Sequence, residues 1–228
     1  MQPAFLPWLG HFNMIANSDY FVFYDNVQFE RRGWQNRNYI RQENGQKKLL
    51  TLPVQNRGNF HSPIKDITVC YDSNPADTLL GILRQQYRRA PFFSDAINPL
   101  VLVLKNRPHK LVDITIPLTL AYSHYIGIDN TRFLRSSEMN MPMDKGPTGN
   151  LVEICKKLGA THYINGPAGQ AYMEPHLFEE AGITLHWHHY NHPRYPQGKG
   201  DFVPYLSIID LIAHTGKEAL YYLYQSQF

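Results

Sequence analysis

The segment 185–200, LHWHHYNHPRYPQGKG, holds four of the chain's eleven histidines. Imidazole is the commonest metal ligand, and on a strand His186, His188, Tyr190 and His192 share one side. A metal needs three or four converging ligands held by a second layer of hydrogen bonds, which a local run seldom supplies. No native metal is therefore expected there. Richer chemistry lies elsewhere. Gly10-His11 stands where a loop enters a helix, whose free N–H groups favour phosphate. Asp25 ends a strand and opens a loop with Gln28, Arg31, Arg32, Trp34, Asn36, Arg37 and Asn38. Arginine suits phosphate, asparagine reads hydroxyls and amides, and tryptophan stacks on a flat ring, so this is a candidate ligand loop. Ser136 and Ser137 in LRSSEM offer either a phosphate cradle or turn caps, and Asn165-Gly166 opens a glycine turn that can bring N–H groups to an anion. Tyr190, Tyr195 and Gln197 lie on a proline-stiffened aromatic loop, a candidate pocket wall, and Asp210 follows in an apolar stretch where a paired acid is expected. Cys155 could be a nucleophile, but Leu151, Cys155 and Leu158 share a helical face, which points to an inert core thiol.

The elements that must position these groups alternate. A short helix over 10–17 precedes an aromatic strand, DYFVFYD, then a polar loop and the strands KLLTLPV and IKDITVCYD. Helical spacing follows in NPADTLLGILRQQYRRAP and again over 111–126. NTRFLRSSE reads as strand and turn, Asn150 as the cap of LVEICKKLGA, and Gly159 as its terminator. Then come the strand THYING, the helix EPHLFEEAG, the strand ITLHWHHY and two closing helices. This alternation predicts one α/β domain over 1–228, a Rossmann-like parallel or mixed sheet flanked by helices with a helical C-terminal part.

Composition narrows the classes. The 228 residues carry a net charge of +3, which suits an anionic small ligand; the basic stretches RRGWQNRN and RQQYRR are too short for a nucleic-acid stripe. Aromatic residues make up 13%, with fifteen tyrosines to serve as polar handles at pocket walls. Two distant cysteines, no leader-like start and no apolar run of membrane-spanning length lead to the expectation of a cytoplasmic protein without membrane insertion and without nucleic acid as partner.

QPAFLPWLGHF, SDYFVFYDNVQF, GWQNRNYI, LTLPV, QQYRRAPFF, RSSE, EICKKLGATHYINGPAG, YNHPRYPQ and FVPYLSIIDL, in that order, resemble the WbqC-like family of bacteria over nearly the whole chain. Genes of that family accompany those for surface polysaccharides. The resemblance implies a transferase that adds an acyl or aminoacyl group to a nucleotide-linked amino sugar in O-antigen-type glycan synthesis. It firmly implies no cofactor, only an acyl-carrier or aminoacyl donor, with an acyl carrier protein and the nucleotide sugar as partners. In that picture the loop arginines and serines hold the diphosphate, Trp34 a ring, and Asn36 or Asn38 hydroxyls. His11 or Asp25 takes the amine's proton. PWLGH and RSSE are more loosely similar to HIGH-motif nucleotidyltransferases, although only Gly10 and His11 match and Trp8 replaces the leading histidine. That likeness implies an ATP-dependent adenylate-forming ligase or nucleotidyltransferase instead. A third possibility is a non-catalytic nucleotide-sugar-binding or scaffold protein.

Overall fold

The computed structural model describes residues 1–55 and 61–225. Helix α1 (Leu9–Ala16) is buried from Leu9 to Ile15 without a polar face, as an internal helix must be. Its Asn13 is closed by remote partners: Asn13 Nδ2 donates to Leu223 O at 2.8 Å, and His188 Nε2 lies 2.7 Å from Asn13 Oδ1. Strand β1 (Tyr20–Phe23) follows, built from aromatic and β-branched residues that suit a half-buried strand. The loop after Asp25 is less loop-like than its polarity predicts. Its second half is β2 (Arg37–Arg41), which pairs antiparallel with β3 (Lys47–Thr51), Tyr39 opposite Leu49. Asn38 and Ile40 point inward from β2, so a buried polar residue hides the alternation.

Three helices come next: α2 (Pro75–Tyr87), α3 (Phe93–Lys105) and α4 (Val112–Tyr125). The sequence reading stops the preceding helix at Pro91 and misses α3, which carries Pro99 inside it. The expected strand IKDITVCYD is also corrected. Ile64–Asp66 forms a single 3-10 turn, and Thr68 and Val69 make only isolated bridges to Lys110 and Val54.

The remaining strands run β4 (Arg132–Arg135), then α5 (Gly146–Leu158), β5 (His162–Asn165), α6 (His176–Glu180) and β6 (Thr184–Trp187). Helix α5 begins four residues before Asn150, whose side chain accepts from Lys145 N at 3.0 Å; Gly159 ends the helix at φ 64°. Helices α7 (Ile208–Thr215) and α8 (Ala219–Tyr224) close the chain, with Ser207 Oγ capping α7. Helices α2, α4 and α7 pack against α3, and α8 packs on α1.

The fold is mixed α/β, as expected, but among the described residues the strands do not form one extended sheet. Parallel pairs β1–β4 and β5–β6 stand apart from the antiparallel pair β2–β3. A cavity of about 270 Å³ separates β1 from β5. Met1 reaches its rim, its amine donating to Val22 O at 2.9 Å and its carbonyl accepting from Tyr24 N at 2.8 Å. On the β5 side, Val152, Cys155, Met173, Phe178 and Ile183 form a satellite core, with Tyr163 stacked on Phe178 at 5.0 Å.

Cys155 takes the inert-thiol position in this cluster. Burial pushes its thiol up to about 11, which suppresses thiolate at neutral pH. Iodoacetamide at pH 7.5 is expected to alkylate the part-exposed Cys70 well before Cys155 in the folded protein, and peptide mapping reads the order. Cys155 labelled first, with little loss of stability, would mark a reactive nucleophile instead.

Candidate functional site

Asp25 and RSSE meet where the parallel pair β1–β4 ends, because the in-register ladder sets Phe23 opposite Arg135. The Asp25 carboxylate is fully buried and surrounded by donors. Oδ2 accepts from Arg135 Nε at 2.9 Å, Arg135 Nη2 at 2.8 Å and Ser137 Oγ at 2.8 Å. Oδ1 accepts from Ser137 N at 3.0 Å, with Ser136 Oγ at 3.1 Å. Burial alone would raise its pKa, but the bonds from Ser137 and Arg135 outweigh that and hold the carboxyl below its usual value. So engaged a carboxylate is a poor proton acceptor. The same contacts turn Ser136 and Ser137 toward Asp25 rather than toward a phosphate. Asp25, Ser136 and Ser137 thus form a structural lock between two strands, and the catalytic and cradle roles expected for them find no geometry here.

Several other candidates also serve the scaffold. A Cβ on Gly10 would collide with the Trp8 ring, so this glycine admits the indole rather than a phosphate. Asn36 Nδ2 donates to Leu52 O at 2.9 Å, and Arg37 Nε to Gly33 O at 3.1 Å. Gln28 bridges to Pro63. Asn165 Nδ2 lies against Met173 Sδ at 2.8 Å, and Gly166 leads into the 3-10 turn Pro167–Ala171. Tyr195, Gln197 and Asp210 come together as one buried network, with Tyr195 Oη, Tyr87 Oη and Gln197 Nε2 donating to Asp210 at 2.8, 2.9 and 2.8 Å. This network ties α7 to the proline-rich loop.

His11, Trp34 and Asn38 do converge, in a cleft of about 450 Å³. Asn38 Nδ2 donates to Leu6 O at 2.9 Å and Phe5 O at 3.3 Å, fixing the turn in which Leu6 takes φ 46°. The chain then bends so that Trp8 and His11 face the same cleft. Trp34, 51% exposed, stands at its mouth, with Tyr39 at 5.6 Å and the Arg37 guanidinium 5.8 Å over its ring. Tyr205 lies 5.7 Å from Trp8 and holds φ 60°, an uncommon backbone state for an aromatic residue. Tyr190 packs edge-on behind Trp8 at 5.2 Å.

Sequence reasoning did not single out six polar or aromatic residues of this lining: Gln2, Glu30, Gln35, Tyr39, Lys47 and Tyr205. Lys47 falls just ahead of the expected strand KLLTLPV, and only the hairpin register places it over the Tyr39 and Tyr205 rings at 5.7 and 5.6 Å. The available signal was the clustering of Tyr205 with other aromatics in a proline-rich loop.

Two buried polar atoms of the cleft residues have no hydrogen-bond partner among the described residues, His11 Nε2 and Gln35 Oε1. Such atoms are costly to leave unpaired. Burial, and then the nearby Met1 amine, lower the His11 pKa to about 3, so its ring is neutral at physiological pH. Glu30 is the one acid among the described cleft-lining residues and Lys47 the one lysine.

The histidine run divides. His188 is buried on Asn13, whereas His186 pairs with His162 at 2.9 Å on the exposed side of β5–β6. Among the described residues no three His, Cys, Asp or Glu side chains gather as a metal ion would require, and no helix is long and apolar enough to cross a membrane.

Residues 2–222 match the model of a family described as the WbqC-like protein family. A protein of Mycobacterium tuberculosis (strain ATCC 25618 / H37Rv), described as uncharacterized protein Rv1507c, is 33% identical over 225 residues, covering 98% of this chain and 95% of that one. No solved structure matches the chain.

Proposed function

Starting from the chain's membership in the WbqC-like protein family, we propose that it is a transferase acting on a nucleotide-linked amino sugar, with the Trp8–Trp34–Tyr205 cleft as its site. The observation that carries this reading is the gathering of the Trp8, Trp34, Tyr39 and Tyr205 rings with Gln2, Glu30, Asn38 and Lys47 around one cleft. Aromatic faces suit the C–H faces of a sugar ring, while amide and imidazole groups suit its hydroxyls. The Lys47 ammonium at the cleft wall suits a diphosphate. His11, neutral and buried, is a hydrogen-bond partner rather than a base. Acyl transfer requires the sugar amine to form a C–N bond as the acyl carbon leaves its carrier, and the amine then gives up a proton. Glu30 is the carboxylate able to take it. The acyl group comes from a carrier protein or an aminoacyl ester donor; its thioester C–S or ester C–O bond breaks as the C–N bond forms, and the thiol or alcohol leaves carrying the proton. The adenylate-forming alternative loses its serine motif to Asp25 and has no separate observation in its favour.

The test is calorimetric titration with UDP-glucosamine as probe, followed by turnover assays with acyl-carrier and aminoacyl donors. Trp34→Ala is expected to weaken probe binding roughly tenfold by removing the stacking platform. Glu30→Gln is expected to leave affinity nearly intact while turnover falls by about 10²-fold or more. Binding that survives Trp34→Ala unchanged would move the site out of this cleft. Binding without turnover on any donor would make the protein a nucleotide-sugar carrier rather than an enzyme.

A further inference from the structure

The Lys47 ammonium lies 5.7 Å over the Tyr39 ring and 5.6 Å over the Tyr205 ring, at nearly the same distance from both. Among the described residues it has no carboxylate partner. A cation within about 6 Å of an aromatic face is attracted by the ring's quadrupole. These two rings are not alone. Trp34 stands 5.6 Å from Tyr39, and Trp8 stands 5.7 Å from Tyr205. One ammonium thus joins two aromatic pairs, and all four rings line the same cleft.

The rings come from four stretches of chain that backbone hydrogen bonds fasten together. Phe5 N donates to Trp34 O at 3.1 Å, Ser207 N to Tyr39 O at 2.8 Å, and Ile208 N to Pro7 O at 2.8 Å. The left-handed backbone of Tyr205 is unfavourable for a bulky residue and persists only where its surroundings over-determine it. Here the loop ahead of it is clamped. Arg41 Nη2 donates to Lys199 O at 2.6 Å, and the Gln197 amide exchanges two hydrogen bonds with the backbone of Val203. The rings are therefore placed in advance, which lowers the cost of binding. Lys47 is the contrast: an exposed ammonium on a flexible four-carbon stem. Rigid rings around a replaceable ammonium are the arrangement that recognises alkylammonium ligands.

We propose that the Trp8–Trp34–Tyr39–Tyr205 cleft is an aromatic cage for the ammonium group of a small ligand, with Lys47 Nζ standing in that group's place until the ligand arrives. The incoming group brings its own positive charge and carries methyl or methylene groups that the rings remove from water. Lys47 gives up no ion pair when it swings out to solvent. The cage itself needs no sugar. Resting on the amino-sugar reading, one more step follows: the donor is aminoacyl rather than a carrier-bound acyl chain, because only an aminoacyl group brings an ammonium. Lys47, released from the rings, is then free to meet the diphosphate.

The probes are choline and 3,3-dimethylbutan-1-ol, which has the same shape with carbon in place of the charged nitrogen. Titrated into the full chain and followed by tryptophan fluorescence, choline is expected to bind at least about tenfold more tightly than the alcohol. Lys47→Met removes the resident ammonium and keeps an apolar stem, so choline affinity rises by about fivefold. Tyr39→Leu, at a strand position opposite Leu49, removes one ring and cuts the preference for choline to about threefold or less, with circular dichroism confirming the fold. Equal affinity for the two probes in both wild type and Lys47→Met would overturn the cage. A preference undiminished in Tyr39→Leu would overturn its location, and choline affinity unchanged in Lys47→Met would overturn the resident role of Lys47. Glycine methyl ester at pH 6.5 is expected to compete with choline, whereas methyl acetate is not; competition by both alike would overturn the donor assignment. None of these readings involves UDP-glucosamine, so the cage and the amino-sugar reading fail separately.

Discussion

Asp25→Ala is expected to lower unfolding free energy by about 3–5 kcal/mol, the range for breaking a buried charge pair from one side. For a chain of this size that is a fall in melting temperature of roughly 10 °C. The loss is large because Arg135, Ser136 and Ser137 all point at a carboxylate that is then absent. Asn at this position restores volume but sets an amide N–H₂ against donors, so Asp25→Asn recovers little. The effect depends on pH in a fixed direction. The folded carboxyl titrates below its ordinary value, so its stabilisation is complete above about pH 4 and is lost as pH falls through the folded pKa. Urea unfolding of wild type and Asp25→Ala at pH 7 and pH 3 should therefore converge toward the acid end. A variant as stable as wild type at pH 7 would refute the lock.

Asp210 gives the opposite sign. Burial is the largest influence and raises its pKa, even though His214 and the donors Tyr195, Tyr87 and Gln197 oppose it. A raised folded pKa means stability that is fully present below the unfolded value near 3.9 and declines as pH rises toward the folded one. Asp210→Ala leaves the Tyr195 and Tyr87 phenols without their acceptor, while Gln197 Nε2 keeps Val203 O; at about 1–3 kcal/mol for each phenol the loss is roughly 2–6 kcal/mol in all. Asp210→Asn keeps one acceptor oxygen and sheds the charge, so it should cost less than Ala and abolish this pH slope. Thermal melts from pH 4 to 8 distinguish the variants. Equal losses for Asn and Ala would mean the acceptor oxygens do not matter. Because this network anchors the proline-rich loop that carries Tyr205, Asp210→Ala should also weaken probe binding in the cleft.

The legible parts of the fold are those where local pattern and burial agree. Gly159, the aromatic run of β1 and the spacing of α2 and α5 each lead to the element found. Patterning failed where tertiary structure overrides it. Pro99 is tolerated inside α3, and Ile64–Asp72 alternates like a strand without a partner to make one. In the candidate site, residue type named His11, Trp34 and Asn38, because imidazole, indole and amide are useful in any pocket. It also named Asp25, Ser136 and Ser137, which have equally useful chemistry spent on one another across two strands separated by 110 residues of chain. Nothing local distinguishes a carboxylate awaiting a proton from one already holding five donors. Glu30 and Lys47 were passed over for the converse reason: an exposed charge is unremarkable until a hairpin and an aromatic turn close around it.

Asn13 carries a consequence for how the molecule is made. Its side chain sits in the first helix, but the carbonyl it donates to belongs to Leu223, 210 residues later. Vectorial synthesis at 5–20 residues per second separates the two by roughly 10–40 s. Throughout that interval α1, which is buried from Leu9 to Ile15 in the finished fold, has left the ribosome while the helix that packs on it has yet to be translated. The nascent chain must therefore keep its most hydrophobic early segment from associating with other chains, and the last turn of α8 acts as the latch that ends this exposure.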